Sequence, residues 1–289
     1  MNKNEIKDQV RHFYDQVGWI KDDNQNYQNA QYEDLRPISR EYIHRCHLRV
    51  NRYLQPDGKY FLDAGSGPVQ YVEYMTYSQG YQYRVCLDIS FTALIEARRQ
   101  IKDHGFYVLA DVSKLPFRKD VFGGEVSLHT LHHLEIEAQN LAYRELHRCL
   151  KAGCTAVIVN GWKHSRLMEK LNPLIVLMEK LQQKNKRNHR KITEELPSKI
   201  ETDSNRQQPK RTFVQEINAE LLKNTFQGEF PLEIFVWRSV SVRFLRAMIQ
   251  PWNAGKIWLM LIYWLEEHFP IFMGENGSYP LIVVEKVEI

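Results

Sequence analysis

Three carboxylates stand at the ends of three short apolar runs. Asp63 follows Tyr60-Phe61-Leu62, Asp88 follows Val85-Cys86-Leu87, and Asp111 follows Tyr107-Val108-Leu109-Ala110. Apolar runs of this length, bounded by turn residues, read as buried strands. The first acid opens directly into Ala64-Gly65-Ser66-Gly67-Pro68, a small-residue turn with two glycines. Glycine lacks the Cβ that would keep a ligand off the backbone, so this turn is a place of close approach. Asp88 follows the glycines by about twenty residues, the spacing at which a carboxylate meets a ribose diol. Three strands ending in Asp63, Asp88 and Asp111 place three carboxylates along one sheet edge, which a nucleoside can span. A second group, His129, His132 and His133, falls at the exit of a fourth run, Val121 to His129. Imidazoles there are candidates for proton transfer. A zinc site is rejected, because no fourth ligand stands at ligand spacing.

The elements that position these groups follow from periodicity. Strict strand–helix alternation from Tyr60 to Asn160 argues for a parallel sheet. Val69 to about Ser78 is expected as the first crossover helix, ended by Gly80. Ala93–Ile101 is the next, with Ser90 as its N-cap. Glu137–Leu150 is a helix and Thr155–Asn160 the fifth strand. The strand, glycine turn and helix start together form the ligand-binding corner of a doubly wound sheet. A nicotinamide dinucleotide fits poorly: its fingerprint needs a third glycine, and Gln70 stands there.

These motifs, in this order, resemble the cofactor site of the class I S-adenosylmethionine-dependent methyltransferases. The matching residues are Asp63-Ala64-Gly65-Ser66-Gly67, Asp88, the stretch Asp111 to Leu115-Pro116-Phe117, Leu128-His129-Thr130-Leu131-His132-His133-Leu134, and Arg144 to Gly153. The resemblance implies a seven-stranded doubly wound α/β sheet, mostly parallel with an antiparallel last strand. It implies S-adenosyl-L-methionine as cofactor, held by Asp63, Ala64, Gly65, Ser66, Gly67, Asp88, Ile89, Asp111, Val112 and His129, with Tyr14 and Trp19 of the N-terminal segment folded over it. Asp88 is expected on both ribose hydroxyls, and Asp111 with Val112 on the adenine. Asp63 suits the cationic methionine end. The family's acid in the fourth strand is replaced by Gly123 or Gly124, and its third glycine by Val69.

Around this core the chain adds three segments. Residues 1–55 form an N-terminal helical segment whose Tyr14 and Trp19 either pin it to the core or line the site. Residues 56–160 are the cofactor-binding core. Residues 161–212 insert a helix, Arg166–Leu181, which Pro173 kinks or divides, then a polar stretch from Gln183 to Lys210. Between Gln183 and Thr212 lie nine Lys or Arg and four Asp or Glu, a net of +5, against +4 for the whole chain of 289 residues. The basic character belongs to this stretch, expected as a solvated, mobile loop; it does not mark the fold for nucleic acid. An anionic partner, a membrane surface or a carrier, is its second reading. Residues 213–289 complete the sheet. A helix opens at Thr212-Phe213-Val214-Gln215, and strands Leu232–Trp237 and Pro280–Lys286 enclose an aromatic insertion, 240–279. That insertion is apolar nearly all round and is expected to be buried, as a cap, as a wall of an apolar substrate pocket, or as both.

The expected activity is methyl transfer to a small, partly apolar acceptor, on O, N or C. His129 and His133 are the candidate bases, and no metal is involved. The competing reading is a non-catalytic module of the same fold that binds through its basic loop and aromatic cap. Cys46, Cys86, Cys149 and Cys154 form no C-x-x-C pair and no leader precedes the first helix, so a cytoplasmic protein with reduced thiols is expected. The longest apolar run is too short to span a bilayer.

Overall fold

The computed structural model describes residues 3–20, 27–28, 33–193 and 212–288. Seven strands build one sheet: β1 (Gly58–Ala64), β2 (Tyr81–Asp88), β3 (Gly105–Leu109), β4 (Gly124–Leu128), β5 (Cys154–Val159), β6 (Leu232–Arg238) and β7 (Tyr279–Lys286). Their order is β3-β2-β1-β4-β5-β7-β6. Strands β1 to β5 pair parallel, and β7 runs antiparallel between β5 and β6. Strands buried on both faces need continuous apolar runs. Leu62 and Ala64 serve one layer of core, Phe61 and Val126 the other. The strand order reverses between β1 and β4, so the crevice outside their carboxyl ends is the place for a ligand.

The helices are α1 (Lys3–Phe13), α2 (Arg40–Leu48), α3 (Phe91–Ile101), α4 (Ile136–Cys149), α5 (Arg166–Thr193), α6 (Ala219–Phe226), α7 (Val242–Met248), α8 (Gly255–His268) and α9 (Pro270–Asn276). Helix α1 runs on into one π-helical turn, Tyr14–Gly18. The hydroxyl of Ser90 caps α3 as expected, accepting from the Ala93 amide.

Four expectations are corrected. The first crossover is a short 3-10 segment, Val72–Ser78, instead of an α-helix from Val69. Pro68 brings no amide donor, Val69 is left-handed at φ 54°, and Tyr71 is extended, so no helix nucleates on the glycine turn. Residues 212–217 do not open a helix. Helix α6 waits for Asn218, whose side chain accepts from the Leu221 amide. The residues before it stay extended because they pair elsewhere: the Gln215 amide donates to the His132 carbonyl, and Ile217 bridges Trp162. Helix α5 is not divided at Pro173 and continues to Thr193, through the first third of the basic stretch. Its Lys, Arg and Gln are good helix formers. The remainder of the expected mobile loop, 194–210, lies outside the described residues.

The fourth correction concerns the aromatic insertion, α7 to α9. It packs against α5, α2 and β6, but it leaves Trp252, Ile257, Trp258, Met260, Leu261, Trp264, Phe269, Ile271 and Phe272 exposed. Glu266 explains the orientation. It faces inward with no exposure, and accepts from the Tyr42 hydroxyl at 2.7 Å, Arg49 Nη1 at 2.9 Å and the Ser239 amide at 2.7 Å. A buried carboxylate held by that many donors dictates which side of α8 turns in.

Candidate functional site

A cavity of about 620 Å³ opens at the switch point, within the roughly 300–1,000 Å³ range of small-molecule sites. One end is made by the loops after β1, β2 and β3. Gly65 and Gly67 adopt left-handed conformations, φ 76° and 52°. A Cβ on Gly65 would lie 2.3 Å from the Thr130 hydroxyl, and one on Gly67 would lie 3.0 Å from the Trp19 ring. Glycine at both positions thus allows the left-handed turn and the close packing of Thr130 and Trp19 against it. Asp88 Oδ2 accepts from the Gly67 amide and Oδ1 from the Ser90 amide, both at 2.8 Å. Burial, reinforced by the nearby Asp63 charge, pushes Asp88 up to about 6 despite those donors. Ser66, Ile89, Asp111 and Val112 also line this end.

Two predicted site residues are elsewhere. Asp63 and Ala64 are buried in the sheet and do not reach the cavity. Asp63 is paired with Arg84, whose Nε donates at 3.2 Å, and Arg84 is itself fully buried. Asp63 is thus neutralised inside the fold by a cation one strand away and is not the free partner of a methionine ammonium. Asp111 lies in the cavity but carries Lys7 from α1, and accepts from the Ser113 amide at 2.8 Å. Burial would raise this carboxyl; Lys7 and Ser113 hold it below its ordinary value.

The N-terminal segment closes the cavity from above. Tyr14 stacks on Trp19 with ring centroids 5.0 Å apart. Its hydroxyl meets His133 Nε2 at 2.7 Å, and His133 Nδ1 meets the Phe213 carbonyl at 2.7 Å. A carbonyl only accepts, so Nδ1 carries the proton and Nε2 accepts from Tyr14. Both nitrogens of His133 are committed, and burial takes the ring down to about 4. The geometry corrects the expectation for His133: it ties the N-terminal segment to the 212–217 strap and is not a free base. Its neighbour His132 leans on Asn160 at 3.4 Å. Among the described residues no group of three or more His, Cys, Asp or Glu is arranged to hold a metal ion.

His129 differs. It is a left-handed non-glycine residue, φ 54°, held there by its amide bond to the Val159 carbonyl at 2.7 Å. Such a conformation costs of order 1–3 kcal/mol and persists where surrounding structure enforces it. It turns the imidazole into the cavity, edge-on to Trp237 at 5.0 Å and Tyr279 at 5.9 Å. Burial brings His129 down to about 3, Glu33 opposing and Arg238 adding to the effect, so the ring is neutral at ordinary pH.

The far end of the cavity was not legible in the chain. Glu33, Gln70, Tyr71, Tyr74, Arg238 and Tyr279 line it. Glu33 and Arg238 form a buried ion pair, and the guanidinium lies 4.4 Å over the Tyr279 ring. Burial raises Glu33, but Arg238 and then His47 bring it down to about 2. Arg238 ends β6 as the acids end β1 and β2, so a strand-end search admitting cations would have found it. Glu33 gave no signal.

The residues present fit a nucleoside-bearing cofactor. Besides the glycine cradle and the two strand-end carboxylates, Trp19 Nε1 is buried over the glycine turn with no hydrogen-bond partner, and such an atom awaits one.

A family model described as "Methyltransferase domain" matches residues 62–158. Among curated proteins none matches the sequence. Solved structures match over nearly the whole chain. The DhpI–SAM–HEP complex superposes with TM-score 0.55 at 11% identity, covering 99% of this chain and 100% of that one. Geranyl diphosphate C-methyltransferase from Streptomyces coelicolor A3(2) gives 0.53 at 13%, covering 98% of each. The [4+2]-cyclase SpnF gives 0.50 at 16%, covering 98% of this chain and 95% of that one. Residues 62–158 thus match a methyltransferase domain, and the chain as a whole shares the class I methyltransferase fold with these structures.

Proposed function

We propose that the protein methylates a small molecule bound at the far end of the cavity, between His129 and the Glu33–Arg238 pair. The observation that supports this most directly is continuity. One cavity runs from Asp88 and Asp111 past His129 to Glu33 and Arg238. The fold alone does not select a reaction, since a [4+2]-cyclase shares it; the reading rests on the site.

S-adenosylmethionine, when bound, supplies a methyl group on a sulfonium, open to in-line attack. The chain's residues do the rest. Asp88 accepts from the ribose hydroxyls through the lone pairs its amide donors leave free. Ile89, Val112 and Asp111 flank the adenine, and Lys7 yields or shares Asp111. Gly65 and Gly67 give the ligand access to the backbone, and Trp19 covers it. Tyr14 and His133 hold that cover shut, which excludes water. Holding an acceptor in line beside the cofactor provides much of the rate. His129, neutral and facing the acceptor, accepts a hydrogen bond from a hydroxyl or amine acceptor and orients it, since burial leaves the ring too weak a base to take the proton outright. Tyr71, Tyr74 and Tyr279 give the acceptor an aromatic, partly apolar wall. The Glu33–Arg238 pair gives it one polar end, so the ligand that fits carries a ring or chain with a charged or strongly hydrogen-bonding group. A cavity sized for a small ligand favours a small-molecule acceptor over a nucleic acid. The four cysteines are free thiols, three of them buried, which favours a cytoplasmic setting.

Calorimetric titration with S-adenosylmethionine, followed by methyl transfer to a panel of aromatic acids, amines and phenols, tests the proposal. Expected are cofactor binding by the parent protein, and turnover lost in His129→Ala and Arg238→Met while their cofactor affinity is kept. Turnover unchanged in both variants moves the acceptor elsewhere.

A further inference from the structure

Helix α8 is built inside out. Its inward face carries Glu266, without exposure, beside Leu259; its outward face carries Ile257, Trp258, Met260, Leu261 and Trp264. Trp258, Met260 and Trp264 are 51%, 72% and 50% exposed, and Trp252 just before the helix is 61% exposed. Phe269, Ile271 and Phe272 extend the surface into α9. Three of the six tryptophans of the chain thus face solvent within thirteen residues, while Trp162 and Trp237 are in the core. Glu266, anchored by Tyr42, Arg49 and Ser239, holds the helix in this rotation. A monomer in water rarely leaves so many large apolar side chains together.

The charge around the patch selects the partner. From Val240 to Phe272 the only acids are Glu266 and Glu267. The first is buried, and the second is engaged by Arg49 and Arg52. Of the cations in the same span, Arg243 pairs with Glu179 of α5 and Arg246 donates to the Glu33 carbonyl, while Lys256 stands at the start of α8 beside the exposed rings. Helix α5, which packs on α7, continues past Gln182 as Lys184, Lys186, Arg187, Arg190 and Lys191. Gln182 donates to the Ala247 carbonyl at 2.7 Å, five residues before Trp252, so α5 is held beside the end of α7 just before its sequence turns basic. Trp and Phe with aliphatic side chains, flanked by cations and without free carboxylates, match the boundary of an anionic bilayer. Among the described residues no helix is long and apolar enough to cross a membrane, which fits a chain that lies on the surface.

We propose that α8 and α9, with the basic end of α5, dock the protein on an anionic phospholipid surface. The indole rings insert at headgroup depth, where an apolar ring with one N–H donor is best accommodated. The cations hold the lipid phosphates. This does not depend on the acceptor assignment, and it concerns a face that contributes nothing to the cavity.

The test is vesicle co-sedimentation of the full chain with phosphatidylcholine vesicles, with and without phosphatidylglycerol. Tryptophan emission and sedimentation velocity are followed on the same samples. Expected are binding to the phosphatidylglycerol vesicles with a blue shift, and at least tenfold weaker binding to phosphatidylcholine alone or in high salt. Trp258→Asp with Trp264→Asp abolishes binding to both vesicle types. Lys184→Gln with Lys186→Gln and Arg187→Gln reduces only the phosphatidylglycerol preference. Cofactor binding and melting temperature stay as in the parent protein, which separates lost docking from lost folding. Absence of vesicle binding at millimolar lipid overturns the proposal. So does a dimer that the two Asp substitutions dissociate, which would make a second copy the true cover of this face.

Discussion

The chain carries two aromatic segments outside its sheet core, and they point in opposite directions. Tyr14 and Trp19 turn inward, over Gly67 and onto His133. Trp252, Trp258 and Trp264 turn outward. Composition points the wrong way, since the polar N-terminal segment turns its rings in and the apolar α8 turns its rings out. The polar anchors account for the difference. Tyr14 is drawn in because its hydroxyl finds His133, whereas α8 is turned out because Glu266 finds Arg49, Tyr42 and Ser239. A few buried hydrogen bonds decide which face of an apolar helix meets the core.

The largest effect should come from cutting the outward segment's anchor. Glu266→Ala leaves Arg49 buried with less compensation and strips Tyr42 and Ser239 of their acceptor. Breaking a buried pair from one side costs about 3–5 kcal/mol, to be read by urea denaturation. Glu266→Gln keeps the acceptor oxygen and should lose less. If Glu266→Ala loses under about 1 kcal/mol, apolar packing, not the anchor, sets the rotation of α8.

The same distinction explains what the sequence made legible. Strand-end acids, glycine spacing and strict alternation are local signals, and they led to the sheet, its order class and the Asp88 corner. Directions set by distant partners were invisible. Asp63 looked like a ligand carboxylate until Arg84, one strand over, neutralised it. His133 looked like a base until Tyr14 and Phe213 took both nitrogens. Glu33 and Arg238 meet across 205 residues, and no spacing rule links them. The extended 212–217 strap was read as a helix because its pairing partners, His132 and Trp162, lie far away in the chain.

Next in size is the proposed cofactor edge at Asp88. Asp88→Ala should weaken S-adenosylmethionine binding by about 1.5–3 kcal/mol, the range for hydrogen bonds to a charged group. A pH signature sharpens this. The free carboxyl sits at about 6, and only its ionised form accepts from both hydroxyls, so affinity should fall as pH drops through about 6 and flatten in Asp88→Asn. Stability has the opposite sign. A carboxyl raised in the folded state above its unfolded value of about 3.9 binds the extra proton when folded. It therefore costs stability progressively as pH rises from about 4 to about 6. Affinity that is flat across this window in the parent protein removes Asp88 from the ribose.

A smaller effect is expected at the inward anchor. Tyr14→Phe removes one hydrogen bond and leaves His133 Nε2 unpaired, a loss of about 0.5–1.5 kcal/mol. If the segment closes over the cavity, the loss appears as several-fold weaker cofactor binding, with the melting temperature nearly kept. If Tyr14 only pins the core, the melting temperature falls and affinity per folded molecule is unchanged.

The smallest effect belongs to the outward rings. Trp258→Gln and Trp264→Gln each remove a side chain about half exposed, so little apolar area returns to water on unfolding beyond what water already touches. Trp264 also meets the His268 ring at 4.2 Å, but both rings are exposed and one contact of this kind weighs little. Surface substitutions away from anchors usually stay within about 0.5 kcal/mol, and these should do so in urea denaturation, with cofactor affinity unchanged. Trp19→Ala supplies the counterpart at an inward ring: it opens the cover over Gly67 and should lower affinity where the outward variants do not. If Trp258→Gln destabilises the fold by 2 kcal/mol or more, its ring is packed in solution. The contrast between inward and outward aromatics would then fail at α8. If all the variants leave affinity untouched, it fails instead at the cavity.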